Sequence, residues 1–253
     1  MAKDDIQVPD LVFCMDSGAA DYSQLWVTSS LRGNCKVDMT VSSGLAGYHS
    51  GETGGIVPET FRIVRSLLDK IDNSTSGKVT EAISVEPPAW KIEEAKHIVN
   101  SMGTKIYDKF PLVEGAKYCH QDDLVKMYLD NVWNCNLAIT GADGLPAIAT
   151  AGNAVRPSTT VRLGMRLPPT QDPKFACDKM MEILSQDVPY NAKVELKSAG
   201  YGPGWCKKEY HSWLDESLKN ASQAFYNKDA GSFGMGGSIP LMNALDKKYP
   251  ESQ

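Results

Sequence analysis

The sequence predicts a mixed fold, α+β joined to α/β: a ferredoxin-like, split β-α-β layer inserted into a second module of α/β type. Three observations predict it. "NCKVDMTV", "STTVRLGMRL" and "AKVELKSA" each alternate apolar and polar residues, the period of a half-buried strand. Segments with helical spacing lie between them, so residues 33–199 spell strand, helix, insertion, strand, strand, helix, strand. The pieces outside that span carry apolar segments of their own and read as one domain interrupted by another. The expected division is 1–27, 28–205 and 206–253.

The elements follow in chain order. "DLVFCMDSG" is a short apolar run that reads as a buried strand with Asp16 at its carboxyl end. Val37, Met39 and Val41 then face one way, with Lys36, Asp38 and Thr40 opposite. In "VPETFRIVRSLLDKID", Pro58 stands near a helix start, and Phe61, Val64, Leu67, Leu68 and Ile71 form one apolar stripe. Residues 80–132 read as a helical insertion containing "AWKIEEAKHIVNSM" and "QDDLVKMYLDNVW". "NLAITG" is a strand. In "STTVRLGMRL", Val161, Leu163, Met165 and Leu167 share the apolar face, with Arg162 and Arg166 on the other. "DPKFACDKMMEILSQ" is a helix opened by Pro173, and "GYGPGW" is a linker. A helix from about Glu209 to Asn227, a loop "KDAGSFGMGGS" and a helix beginning in "SIPLMNAL" complete the chain.

Composition narrows the function. A net charge of −5 argues against a nucleic-acid groove, which needs a basic excess. No apolar run reaches the length of a membrane span. The opening "MAKDDIQVPD" is polar and acidic, without a signal-peptide core. The six cysteines are scattered and form no C-x-x-C pair, which predicts reduced, mostly buried thiols and a cytoplasmic location.

Few residues stand out chemically. Asp16, at the end of its expected strand, suits a divalent cation; an Asx turn onto Ser17 and Gly18 is the alternative. "GMGGSIP" runs a glycine turn into a helix, with Ser238 placed to cap it. Arg166 can present a fork to a carboxylate, or be solvated or paired with an acid. His49 lies in "GLAGYHSGETGGIVPE", a loop too rich in glycine to be there for packing, and a neutral imidazole there can donate to an oxyanion. His97, His120 and His211 read as surface residues, and Glu93 and Glu94 as the solvated face of an amphipathic helix.

Taken together, "LVFCMDSG" with "WVTSSLRG", "YHSGETGG", "NAVRPSTTVRLGMRLPP" and "GGSIP" resemble, in order and spacing, the dizinc carnosinase/aminoacylase-type metallopeptidases. That family includes cytosolic dipeptidases, aminoacylases and succinyl-diaminopimelate desuccinylases, and the likeness spans nearly the whole chain. It implies a ferredoxin-like lid domain inserted into an α/β zinc-peptidase catalytic domain, and a homodimer formed through the lid. The implied reaction is attack of zinc-activated water on the amide of a small peptide or N-acyl amino acid, with two zinc ions, or manganese or cobalt in their place. Asp16 would be a zinc ligand. His49 would reach the partner subunit's active site and steady the oxyanion. Arg166 would hold the substrate carboxylate with Asn153 nearby, and Gly236, Gly237 and Ser238 would line the cleft. The family's His-x-Asp motif, bridging Asp and Glu-Glu pair all precede the Asp16 position, and a last His follows "GGSIP"; none is in this sequence. Met235 stands where many relatives have an acidic residue. The resemblance therefore implies an interior piece with an incomplete active site, inert alone. A non-catalytic lid-domain protein that dimerises or binds a ligand is the alternative.

Overall fold

The computed structural model describes residues 7–253; the first six residues of the polar opening stretch lie outside the described residues. Residues 10–18 do not form the expected strand. They run beside the carboxyl end, where the Val12 N–H donates to the Gln253 carbonyl (2.7 Å) and the Gln253 N–H to that of Asp10 (2.9 Å). Phe13 and Met15 face solvent. An apolar run becomes a strand only where a neighbour takes up its backbone groups along its length, and these two bonds do not extend into a ladder.

The first strand is β1 (Trp26–Leu31), in "WVTSSL", whose Ser29 and Ser30 are fully buried. A single residue, Arg32, separates it from β2 (Gly33–Ser42). There the expected alternation holds, with Cys35, Val37, Met39 and Val41 buried. β3 (Tyr48–His49) and the one-turn α1 (Ser50–Thr53) occupy the glycine loop. α2 (Thr60–Leu68) starts where the Glu59 carboxylate accepts the Arg62 N–H at 2.8 Å. It buries Thr60, Ile63, Val64 and Leu67. Phe61, expected inside, is exposed, because the stripe continuing to Ile71 is centred on Val64 and Leu67.

The insertion comprises α3 (Ala89–Met102), a short α4 (Lys105–Asp108) and α5 (Leu124–Val132). β4 (Asn136–Asp143), β5 (Ala154–Val155), β6 (Ser158–Leu167), α6 (Pro173–Ser185) and β7 (Lys193–Gly202) follow. Asp172 caps α6 by accepting the N–H groups of Lys174 and Phe175. After two residues come β8 (Trp205–Cys206), α7 (Ser212–Tyr226), β9 (Gly231–Met235) and α8 (Pro240–Lys248). β9 lies in what reads as a loop. Its glycines supply no alternation, but they let neighbours approach: a Cβ at Gly234 would stand 2.5 Å from Lys91 Nζ and 2.9 Å from Ser30 Oγ.

Two sheets organise these elements. One is antiparallel in the order β4-β6-β2-β7, with α2 and α6 packed against it. Its core joins Val37, Met39, Leu163 and Met165 to Ile63, Leu67, Cys177 and Met180. The other has the order β8-β1-β9, with β1 and β9 parallel, so segments some two hundred residues apart lie side by side. A two-stranded pair, β3-β5, projects from the first sheet. All six cysteines are free. Among the described residues no helix is long and apolar enough to cross a membrane.

The helical insertion leaves the four-stranded layer and covers the three-stranded one. Ala95, Ile98, Tyr128, Leu129, Val132 and Trp133 form a second core, against which Trp26 and Phe233 pack. An ion pair crosses this junction. Lys91, wholly buried, donates to Ser29 Oγ (3.0 Å), Ser30 Oγ (2.9 Å) and Glu94 Oε1. Glu94, 8% exposed, accepts from Ser232 Oγ (2.7 Å) with its other oxygen. The expected solvated role thus holds for Glu93, which meets Lys96 at the surface, and not for Glu94. Burial lowers the Lys91 ammonium's pKa, while the Glu94 carboxylate works in the opposite direction.

Candidate functional site

The Ser238 hydroxyl joins the two sheets. It accepts from Asn34 Nδ2 at 3.2 Å and from Arg166 Nη1 at 3.2 Å, and donates to the Arg32 carbonyl. β2 and β6 place Asn34 and Arg166 opposite one another in register, so alternation along both strands turns the two side chains the same way. Ser238 does not cap α8 as expected. The cap position is Ile239, without a side-chain bond, because the hydroxyl is engaged across the sheets. Gly236 is closely confined: a Cβ there would come 2.7 Å from the Asn131 carbonyl oxygen and 3.0 Å from Arg32 Nη2. Gly237 is exposed with open space around it. Arg166, Ser238 and the glycine turn therefore meet as one surface.

The two arginines on the β6 face part company. Arg162 is engaged by Asp38 through two bonds, Nε to Oδ1 at 2.6 Å and Nη2 to Oδ2 at 2.7 Å. Those bonds hold the Asp38 carboxyl below its ordinary pKa. Arg166, among the described residues, meets no carboxylate, so its charge is not neutralised by a neighbouring acid.

Sequence reasoning missed Arg32. It is 6% exposed and its bonds go to backbone carbonyls: Nε to Gly236 (3.1 Å), Nη1 to Asp130 (3.2 Å) and to Asn134 (3.1 Å). The last two lie at the carboxyl end of α5, where the helix dipole favours a cation. Burial, and secondarily the nearby charge of Arg166, pull the Arg32 guanidinium down to about 10. The available signal was an arginine directly before the alternating run, in "SSLRGNC".

His49 and Asn153 meet elsewhere. β3 pairs with β5 so that His49 faces Ala154, and the Ser50 N–H donates to the Asn153 carbonyl at 2.9 Å. Both are exposed. His49 Nδ1 accepts the Gly51 N–H at 3.2 Å, so the proton of the neutral ring sits on Nε2, as an outward donor. This strand pair continues from the end of the four-stranded layer where Ser42 faces Ser158, whereas Arg166 faces Asn34 at the other end. Eight residues of strand separate the two ends, roughly 27 Å at the usual rise. Asn153, expected near Arg166, is thus beside His49 instead.

Asp16 is exposed, on an irregular segment rather than at a strand end. Its neighbour Ser17 bonds Thr28 Oγ1 at 3.0 Å, which lays the segment beside β1. Among the described residues no three His, Cys, Asp or Glu side chains converge to hold a metal ion. A zinc pair needs three or more protein ligands for each metal, so this donor set does not fit a dizinc centre.

No family model matches the chain. Over all 253 residues it is 22% identical to the cysteinylglycine-S-conjugate dipeptidase of Corynebacterium striatum, covering 53% of that protein. Its fold is similar to that of human carnosine dipeptidase 1, with a TM-score of 0.67 at 17% identity, over 91% of this chain and 49% of the other. An M20 family metallo-carboxypeptidase from Sulfolobus solfataricus gives a TM-score of 0.65 at 13% identity, over 90% and 52%. The chain spans about half the length of the relatives it matches.

Proposed function

We propose, for a chain that belongs to the carnosinase/aminoacylase-type metallopeptidases, that it supplies the substrate-holding part of a metal-dependent peptide hydrolase acting on dipeptides or N-acyl amino acids. In this reading the four-stranded layer within residues 28–205 is a ferredoxin-like lid, inserted between the catalytic segments 1–27 and 206–253. It also joins two subunits of a cytoplasmic homodimer. Arg166 takes the substrate carboxylate, and Gly236, Gly237 and Ser238 form the floor beside it. His49, with Asn153 at its side, serves the partner's cleft and donates Nε2–H to the amide oxygen as charge develops there. Asp16 acts as a metal ligand only together with donors beyond the described residues.

The observation that carries this reading is the bond from Arg166 to Ser238. It brings a strand arginine and a glycine-turn serine 72 residues apart to one place, at the junction of two sheets. The separation between that junction and the paired strands bearing His49 supports a histidine that acts across a subunit boundary.

Dipeptide hydrolysis with added Zn²⁺ or Mn²⁺ tests the proposal, using the chain itself and the chain extended by its flanking coding sequence, with bound metal counted by mass spectrometry. The expected result is turnover and about two metals in the extended protein, with the chain alone inert. Hydrolysis by the chain alone would overturn the assignment of metal ligands. Peptide binding without metal uptake or turnover in either protein would favour a non-catalytic lid protein.

A further inference from the structure

Arg32 is the one residue between β1 and β2, and hence between the two sheets. Three of its hydrogen bonds tie the Gly236 carbonyl to the end of α5, and its own carbonyl holds Ser238, which in turn holds Arg166. Arg156 is paired with Glu59 and Arg162 with Asp38. Among the described residues, neither Arg32 nor Arg166 meets a carboxylate. Two guanidinium groups near one another, one of them buried, repel unless an anion joins them; the Asp130 charge acts on Arg32 from nearby, but among the described residues no acid bridges the two.

We propose that Arg32 is the positioning residue of a carboxylate subsite at the sheet junction: it fixes the glycine turn and Ser238, and so aims the Arg166 fork at the anion. The inference rests on the reading of Arg166 as the residue that holds a peptide's terminal carboxylate. Ser238 engages only Nη1 of Arg166, so the guanidinium is steadied at one corner while its remaining donors can take a carboxylate in two-point fashion. The charge of Arg32 stands behind the turn and strengthens the local field without contacting the ligand.

The test uses the full chain and two probes, glycylglycine and glycylglycine amide, titrated by calorimetry at low and at physiological salt. The wild-type chain should prefer the free carboxylate, and Arg166→Gln should remove that preference. Arg32→Gln should weaken the carboxylate probe by about tenfold and flatten its salt dependence, leaving the amide probe unchanged. Arg32→Lys keeps the charge but lacks the fork; it should restore the salt dependence without restoring the full affinity. If Arg32→Gln does not fold, Arg32→Lys decides alone through that split. Wild-type preference retained at full strength in the Arg32 variants would overturn the inference and leave the Arg166 reading intact. Equal weakening of both probes would overturn it too, since that marks general damage. No preference in the wild-type chain would sink the Arg166 reading and this inference with it.

Discussion

Asn34 and Arg166 face each other across β2 and β6 and donate to the same oxygen, Ser238 Oγ, at 3.2 Å each. One hydroxyl thereby holds two strands of one sheet to the turn that follows a strand of the other. Ser238→Ala removes both of those bonds and the one to the Arg32 carbonyl. Losing partners for half-buried polar groups is expected to cost about 1–3 kcal/mol, read as a lower urea midpoint with an unchanged slope.

The Lys91–Glu94 pair lies wholly inside the junction of the insertion and the three-stranded sheet. Lys91→Met or Glu94→Leu alone leaves an uncompensated partner and should destabilise by about 3–5 kcal/mol. Lys91→Met combined with Glu94→Leu should recover part of that loss. A double-mutant cycle by chemical denaturation reads the coupling, and strictly additive losses would show that the pair does not act as a unit.

Arg162 holds the Asp38 carboxyl below its ordinary value of 3.8, so the folded chain gives up this proton more readily than the unfolded one. The resulting stabilisation is fully present above the unfolded value and is lost as pH falls through the lower folded value. Melting temperatures of wild type and Asp38→Asn should therefore differ at neutral pH and converge as pH falls through the lowered folded value. A gap that does not narrow at all on acidification below the unfolded value would remove Asp38 as its source.

His49 is exposed and its substitution by Ala should leave stability within about 0.5 kcal/mol of wild type. If it serves a partner's cleft, His49→Ala and Arg166→Gln subunits of the complete enzyme, each inactive, should regain activity when mixed. One-to-one mixing makes half the dimers mixed, each with one intact site, so recovery should approach about a quarter of wild type. No recovery despite confirmed subunit exchange would overturn a role for His49 in the partner's cleft.

Where packing alone decides, the sequence was a good guide. β6 spans Ser158–Leu167, the run in which Val161, Leu163, Met165 and Leu167 alternate, and α3 spans the run "AWKIEEAKHIVNSM". The failures share a cause, since each depends on a neighbour distant in sequence. β1 hides because its buried faces are serines that answer Lys91, and β9 hides because glycine lets Lys91 and Ser30 approach. "LVFCMDSG" misleads in the opposite direction: its apolar residues promise a strand, but no ladder forms along it. In the candidate site, Arg166 and Ser238 were legible from motif order. Arg32 was not, because its partners are carbonyl oxygens, which no side-chain pattern records.

The helices that cover β9 are encoded inside the segment that builds the four-stranded layer. Cutting at the natural-looking seams, Arg32 and Gly204, would therefore carry off the roof of the neighbouring sheet along with the layer itself. A grafted layer from a relative would bring its own α3 and α5, and these would have to match a foreign β1 and β9 down to the Lys91–Glu94 pair. In evolution the layer and the sheet it interrupts are thus bound to change together, whereas the largely exposed β3–β5 pair is free of that constraint.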